Sequence, residues 1–181
     1  MAELEFRITR VAMRSVSLLQ IHEHDRGAAA PITTRSFGNA GPEHGEASGP
    51  RAYAIGPTEW LLIDYPLQEV RRRLAADLGR ALVRLTDVSG AFVSLRVEGN
   101  AARAVLASDI GAPWAAEGSR PGQYVRTRLA QVDVILHCIG ADAFELLADR
   151  SIAEHLEGWL AAQYVAQCVP PTAEWLGNRL Q

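Results

Sequence analysis

Two histidines near the start of the sequence have the spacing of a metal-binding pair. His22 and His24 lie two residues apart, so in a strand both side chains would project from one face. A zinc site needs at least a third ligand, and His44 is the nearest other histidine along the chain. Because His44 falls in an irregular stretch, we favour exposed histidines at a strand end over a metal site. The prediction is that the chain has no metal ligands.

A second combination, Asp87 with Ser89, places a carboxylate beside a hydroxyl group that a base could activate. A serine nucleophile also needs a histidine within hydrogen-bonding reach and an oxyanion hole. Nothing in the sequence near Asp87 marks such a partner, whereas Asp-x-Ser-Gly is a composition typical of a polar turn. We therefore predict a turn at residues 87–90.

The remaining candidates are single side chains. Glu59 precedes Trp60 and could bind an amine or the edge of a pterin, but a turn carboxylate explains it equally well, and we favour the turn. His137 alternates with Leu136 and Cys138 in a strand pattern, which would place it on the polar face of a sheet. The sequence contains neither the dinucleotide-binding glycine fingerprint nor a P-loop. It thus predicts no catalytic and no cofactor-binding residues.

Composition and charge argue against nucleic-acid-binding, membrane and secreted proteins. The net charge is −3, and the basic run at residues 71–73 falls in a helical pattern, which favours a solvated face over a nucleic-acid site. No apolar run approaches the ~20 residues needed to cross a bilayer. The start of the chain lacks the pattern of a secretory signal. We expect a cytoplasmic protein, without membrane or nucleic-acid partners, in which Cys138 and Cys168 remain thiols.

Hydrophobic patterns predict the elements that must position these residues. The central stretch, residues 82–106, is typical of two strands around a Ser89-Gly90 turn, followed by a helix that Asn100 caps. Before it, the pattern predicts a hairpin at residues 52–64 and a helix. After it, the pattern predicts three strands and a helix that begins with a capping box between Ser151 and Glu154.

Two parts of the chain resemble each other. Ile55-Gly56, residues 60–63 and a helix match Ile139-Gly140, residues 144–147 and a helix, and residues 16–18 echo residues 93–95. Chance similarity between apolar hairpins is the alternative, because each match is short. We predict a duplicated α+β fold of strand, hairpin and helix units, with antiparallel sheets that carry helices on one face.

The predicted chain organisation is a single domain of two halves. The first half covers about residues 1–80 and contains an irregular loop at 23–50, the second covers about 81–167, and a tail follows at 168–181. The loop is rich in Gly, Pro, Ala and Ser and is longer than ordinary loops, so it is either flexible or ordered by something outside the domain. In the tail, Trp175 and Leu176 are possible partner contacts, since a Trp that fills a pocket is a typical anchor.

Taken together, several short motifs resemble the gamma subunit family of heterotetrameric sarcosine oxidase. They span about residues 51–162, and their order and spacing are more specific than any one of them. The motifs are Gly56-Pro57-Thr58-Glu59-Trp60-Leu61-Leu62, Asp87-Val88-Ser89 with Leu95 and Gly99, residues 102–106, Pro121-Gly122 with Thr127, and Arg150-Ser151 with Ala153, Trp159 and Leu160. The family is distantly similar to the folate-binding fold of glycine-cleavage aminomethyltransferases, which agrees with a duplicated α+β fold.

This resemblance implies a non-catalytic subunit of an oxidoreductase complex. In such a complex an alpha subunit carries NAD and a folate-binding domain, a beta subunit carries the flavins FAD and FMN, and a delta subunit binds zinc. The complex oxidises sarcosine to glycine, with electrons passed to oxygen and the one-carbon unit passed to tetrahydrofolate. Because loop 23–50 matches no family motif, another N-methyl amine substrate stays open. The alternative function is a stand-alone folate-binding or aminomethyltransferase-like protein.

Overall fold

The computed structural model describes residues 4–22, 49–78, 82–110 and 119–168. Within these ranges the strands are β1 (Arg7–Val11), β2 (Val16–Ile21), β3 (Arg51–Gly56), β4 (Glu59–Ile63), β5 (Val83–Asp87), β6 (Phe92–Glu98), β7 (Tyr124–Leu129), β8 (Val132–Gly140) and β9 (Ala143–Asp149). The helices are α1 (Leu67–Leu78), α2 (Ala102–Ala107) and α3 (Ala153–Cys168).

The strands form two antiparallel sheets. The five-stranded sheet has the order β1-β6-β9-β8-β7, and the four-stranded sheet has the order β3-β4-β2-β5. Hydrophobic side chains pack in three layers: between the five-stranded sheet and helices α2 and α3, between the four-stranded sheet and α1, and between the two sheets. Helices therefore cover one face of each sheet, as predicted, and the partner sheet covers the other face.

The pairing of the strands confirms the predicted duplication and adds an exchange of strands. In the four-stranded sheet the neighbours run β5-β2-β4-β3, and in the five-stranded sheet they run β1-β6-β9-β8. By chain order β2, β3 and β4 correspond to β6, β8 and β9, and α1 corresponds to α3. β1 precedes β2 in the chain but pairs with β6, and β5 precedes β6 but pairs with β2. Each half thus contributes an edge strand to the other half's sheet.

The two hairpins fix which residues correspond. β3–β4 pairs Gly56 with Glu59, and β8–β9 pairs Gly140 with Ala143, with a register shift just before each glycine. The predicted hairpin match is therefore confirmed residue by residue. The predicted match of residues 16–18 with 93–95 is wrong by one position. Leu62 of the first hairpin corresponds to Leu146 of the second. Since Leu62 pairs with Ser17 and Leu146 pairs with Leu95, Ser17 corresponds to Leu95.

Two predicted helix caps are also wrong. The side chain of Asn100 accepts a hydrogen bond from the Glu5 backbone N–H at 2.8 Å, and α2 begins after Ala101 without a side-chain cap. The backbone N–H of Ser151 donates to the Asp149 carboxylate at 2.8 Å, so Asp149 caps the short 3-10 helix before α3. In both places a nearby group competes for the bond that the local motif predicts.

Candidate functional site

A row of polar side chains crosses the inner face of the five-stranded sheet. Strand alternation directs Leu136 and Leu146 toward the helices. Their chain neighbours His137 and Glu145 therefore face the four-stranded sheet. Arg96 and His137 both pair with Glu145 in the sheet register, and Tyr124 pairs with His137. These four side chains therefore lie side by side on β6, β9, β8 and β7.

An ion pair at the centre of this row joins the two sheets. Arg51, on β3 of the four-stranded sheet, donates to the Glu145 carboxylate, and the two residues are only 1% and 3% exposed. Ser94 Oγ donates to the other Glu145 oxygen at 2.5 Å. Because charges buried at this depth are costly when unpaired, each of these two residues requires the other. Glu145 is thus fully engaged and is not free to act as a general base.

A second contact between the sheets joins Tyr53 to His137. The Tyr53 hydroxyl lies 3.1 Å from His137 Nδ1, and the two rings meet edge to face. Burial raises the pKa of Tyr53 well above its usual range, so the phenol stays protonated. Burial, together with the nearby Arg51 charge, lowers the pKa of His137 to about 4. Near neutral pH both groups are uncharged, and neither is poised for proton transfer.

Three buried side-chain nitrogens in this cluster have no hydrogen-bond partner within the described residues. They are Nε of Arg51, Nε of Arg96 and Nε2 of His137. Because the phenol stays protonated, the Tyr53 hydroxyl can donate its hydrogen to His137 Nδ1. That arrangement leaves the hydrogen of His137 on Nε2. The cluster therefore presents donors rather than acceptors to its surroundings.

The open edge of the four-stranded sheet is covered from the other sheet. Tyr124 Oη accepts from the Ala54 backbone N–H at 2.9 Å, and Arg126 donates to the Ile55 carbonyl at 2.9 Å. Side chains of β7 thus satisfy backbone groups of β3 that no strand pairs. The two sheets are joined at this edge as well as at the central ion pair.

The structure explains Asp87 and Ser89 as a turn, as predicted. The Asp87 carboxylate accepts from the Ser89 backbone N–H at 2.9 Å and from its hydroxyl at 2.6 Å, and both bonds lower the pKa of Asp87. The Val16 backbone N–H donates to Ser89 Oγ at 2.9 Å. Because Ser89 gives its hydrogen to Asp87 while it accepts from Val16, its role is to join β2 to the turn.

The other predicted residues are dispersed. His22 is exposed after β2, while His24 and His44 lie outside the described residues, and within the described ranges no cluster of three potential metal ligands exists. Glu59 accepts from Gln20 at 2.8 Å in the β3–β4 turn.

The basic run, the cysteines and the tail residues also lie apart from the cluster. Arg71 and Arg72 are exposed, as predicted, and Arg72 pairs with Glu69. Cys138 is a buried thiol and Cys168 an exposed one. Trp175 and Leu176 lie outside the described residues.

Sequence reasoning missed most of the cluster. His137 was expected on a polar sheet face, but that face is covered by the second sheet, so the ring is 1% exposed. Arg51, Tyr53, Ser94 and Glu145 were not singled out. The available signal was Glu145, a lone charge inside the apolar strand Ala143–Asp149 at the position where the first hairpin has Leu61.

A surface cleft with a volume of about 710 Å³ lies elsewhere, between residues 10–13, residues 89–93 and the start of α3. Its two arginines are already engaged. Arg10 pairs with Glu157 at 2.7 Å, and Arg150 donates to the carbonyls of Gly90 and Phe92 at 2.8 and 3.2 Å. These contacts hold β1 to α3 and hold the start of β6 to the 3-10 helix before α3, so the charged groups of the cleft serve the fold.

Comparison with known proteins gives consistent matches. The family model described as "Sarcosine oxidase, gamma subunit family" matches residues 44–166. The sarcosine oxidase subunit gamma of Corynebacterium sp. (strain U-96) is 28% identical over 116 residues, which cover 64% of this chain and 57% of that protein.

Solved structures agree on the fold. A chain of the heterotetrameric sarcosine oxidase from Corynebacterium sp. U-96, in complex with pyrrole 2-carboxylate, superposes with a TM-score of 0.72 at 25% identity, covering 96% of this chain and 90% of that chain. The glycine cleavage system aminomethyltransferase T from Bartonella henselae superposes with a TM-score of 0.54 at 15% identity, covering 87% of this chain and 45% of that chain. The second likeness concerns the fold alone.

Proposed function

This chain belongs to the sarcosine oxidase gamma subunit family, and on that premise we propose that it is the non-catalytic gamma subunit of a heterotetrameric sarcosine oxidase. The observation that carries the proposal is the superposition on a chain of such an enzyme over 96% of this chain and 90% of that one. The two chains therefore share one fold over nearly the whole length compared.

The interior supports a structural role for this subunit. Its charged and titratable groups face one another between the sheets, where Arg51 is neutralised by Glu145 and His137 is held uncharged. The phosphates of FAD, FMN or NAD need free donors at an accessible surface, and these residues are buried. The cluster does not fit such a cofactor, so we derive no chemical step from it.

We place the chemistry on the other subunits. In this proposal the alpha subunit holds NAD and the folate-binding domain, the beta subunit holds the flavins, and the delta subunit holds zinc. The complex oxidises the N-methyl group of sarcosine or a similar amine, passes the electrons to oxygen, and passes the one-carbon unit to tetrahydrofolate. The contribution of this chain is to hold the assembly together.

The chain organisation proposed for this role is one domain with two interlocked halves. The boundaries are about 1–80 and 81–167, and the tail at 168–181 supplies Trp175 and Leu176 as partner contacts. The described part of the chain contains no helix that is long and apolar enough to cross a membrane. On the sequence grounds given above, we propose a cytoplasmic complex.

The decisive experiment is co-expression of the tagged chain with the alpha, beta and delta subunits, followed by affinity purification. We expect a stable yellow complex in which flavin absorbance follows the tag through size-exclusion chromatography, with sarcosine-dependent oxygen consumption. The matched control is the tagged chain expressed alone, which should be colourless and inactive. A colourless monomer from the co-expression, or turnover of sarcosine by the isolated chain, would refute the proposal.

The alternative, a stand-alone folate-binding protein, rests on the fold shared with the aminomethyltransferase. Calorimetric titration of the purified chain with tetrahydrofolate separates the two functions. The gamma-subunit proposal predicts no saturable binding up to high micromolar tetrahydrofolate. Saturable micromolar binding by the isolated chain would favour the alternative.

A further inference from the structure

Three polar side chains lie in one row across the end of the four-stranded sheet. In the strand register, Gln20 of β2 pairs with Glu59 of β4 on one side and with Arg84 of β5 on the other. Side chains of paired residues project from the same face of a sheet, so the row consists of a carboxylate, an amide and a guanidinium group. Because adjacent strands are about 4.8 Å apart, the backbones that carry the two charged residues are about 10 Å apart. A neutral residue thus separates the opposite charges.

The equivalent row in the second half has a different order of charges. There the corresponding positions of β9, β6 and β1 carry Ala143, Glu98 and Arg7. The carboxylate is now the central residue, directly beside the arginine, and Arg96 lies 3.8 Å from it as well. Arginines therefore flank the carboxylate of the second half, whereas the first half holds its opposite charges apart.

The hydrogen bonds of the first row leave groups of both signs available. The side-chain N–H of Gln20 donates to Glu59 Oε1 at 2.8 Å, which leaves the amide oxygen of Gln20 and the second Glu59 oxygen as acceptors. Arg84 is exposed and makes no hydrogen bond or ion pair with another described residue. The row thus offers acceptors for an ammonium group at one end and donors for a carboxylate group at the other.

A cleft of about 550 Å³ lies along this row. It is formed where β2 ends and where β4 and β5 begin, and all three polar residues line it. Its apolar walls include Ile21, Val83 and Leu82, of which Leu82 is 68% exposed. This volume is within the range of small-molecule sites, which combine apolar walls with a few convergent polar groups.

We propose that this cleft binds a small zwitterionic amino acid, with its ammonium group on Glu59 and Gln20 and its carboxylate group on Arg84. Charge complementarity at both ends supports this class of ligand, because a simple anion or cation would satisfy only one end. The site goes beyond the proposed function, which supplies only the choice of ligand. Sarcosine and glycine, the substrate and product of the proposed complex, are both zwitterions near neutral pH. Binding here suits a non-catalytic subunit, since no bond of the ligand is made or broken.

The test is a titration of the isotopically labelled full chain with sarcosine, followed by nuclear magnetic resonance. Use of the isolated chain avoids competition from the active site of the complex. We expect saturable shifts of the backbone amide signals of Ile21, Thr58 and Val83, with a Kd in the millimolar range. Glycine should shift the same signals. Acetate and methylammonium, each of which carries only one of the two charges, should bind at least tenfold more weakly.

Matched substitutions separate this site from the rest of the surface. Glu59→Gln and Arg84→Gln each remove one charge and should weaken sarcosine binding at least tenfold. Arg7→Gln, at the position that corresponds to Arg84 in the second half, should leave the binding unchanged. None of the three side chains is buried, so each variant should melt within about 2 °C of wild type, which distinguishes a loss of binding from a loss of fold.

Each possible failure has a separate meaning. Absence of saturable shifts in the wild-type chain up to high millimolar sarcosine would overturn the site. Equally tight binding of acetate would indicate a simple anion site and would also overturn it. Equal binding by wild type, Glu59→Gln and Arg84→Gln would place the ligand elsewhere, with the same consequence. The gamma-subunit proposal is tested separately, by the recovery of partner subunits in the co-expression experiment.

Discussion

The two halves of this protein share a hairpin but differ in what it presents to the inter-sheet layer. In the first half the inward residues of β2, β4 and β3 are Leu18, Leu61 and Tyr53, which pair in one row. At the equivalent positions of the second half, the row consists of Arg96, Glu145 and His137.

The same backbone thus carries an uncharged row in one sheet and an ionisable row in the other. The four-stranded sheet supplies the counter-charge from another position, Arg51, whose equivalent in the second half is Ile135. Because each of these buried charges requires the other, the difference between the halves ties their two sheets together at Arg51 and Glu145.

The largest expected effect comes from removing one side of the ion pair. Glu145→Leu copies the residue of the first half and leaves the Arg51 charge buried without a counter-ion. We expect a loss of about 3–5 kcal/mol in the free energy of unfolding, measured by urea denaturation. The paired variant with Arg51→Ile and Glu145→Leu removes both buried charges of the ion pair and should recover most of that loss. If the double variant is as unstable as the single one, the ion pair is not the source of the effect.

The next expected effect is a pH dependence of the free energy of unfolding, caused by His137 in the second half. Because the pKa of His137 is lowered to about 4 in the folded chain, the unfolded chain binds a proton first as the pH falls below about 6.5. The free energy of unfolding should therefore fall by about 3 kcal/mol between pH 6.5 and 4, and this stability is fully present above pH 6.5. In His137→Gln that part of the slope should disappear. Equal slopes for the two proteins would contradict the assignment.

A smaller effect is expected at the contact between the two rows. Tyr53→Phe removes the hydroxyl that bonds His137 and leaves Nδ1 buried without a partner. The expected loss is about 1–3 kcal/mol in the free energy of unfolding. Tyr124→Phe, which instead removes an acceptor at an exposed sheet edge, is the control and should cost less. A smaller loss for Tyr53→Phe than for Tyr124→Phe would place the stronger connection at the edge.

The smallest effect compares two Asp-x-Ser turns, one at the end of β5 and one at the end of β9. Asp87 and Asp149 accept the same pair of bonds from Ser89 and Ser151, but Ser89 also accepts from the backbone of β2. Ser89→Ala should lower the Tm by about 2–4 °C, and Ser151→Ala by less. Thermal melts followed by circular dichroism would measure the difference, and equal shifts would show that the bond to β2 adds nothing.

Local patterns predicted the hairpins and the Asp87 turn, because each depends on residues close together in the sequence. They also predicted the duplication, because it repeats one such local pattern. They did not predict β1, whose largely exposed residues lack a clear alternation. They also missed the ion pair, since Arg51 and Glu145 are 94 residues apart and lie on different sheets. The cap at Asn100 failed for a related reason, because a backbone donor 95 residues away takes its side chain. Contacts between residues so far apart in the sequence leave no local pattern from which they could be predicted.

The exchange of edge strands has a consequence for synthesis on the ribosome. Among the described strands β1 is made first, yet its partner β6 begins only at Phe92, and the sheet that contains both is not complete until β9 ends at Asp149. The nascent chain therefore holds an unpaired strand through most of translation, when such edges readily associate with other chains. Two of the five residues of β1 are arginines, Arg7 and Arg10, and their charges discourage that association until the second half emerges.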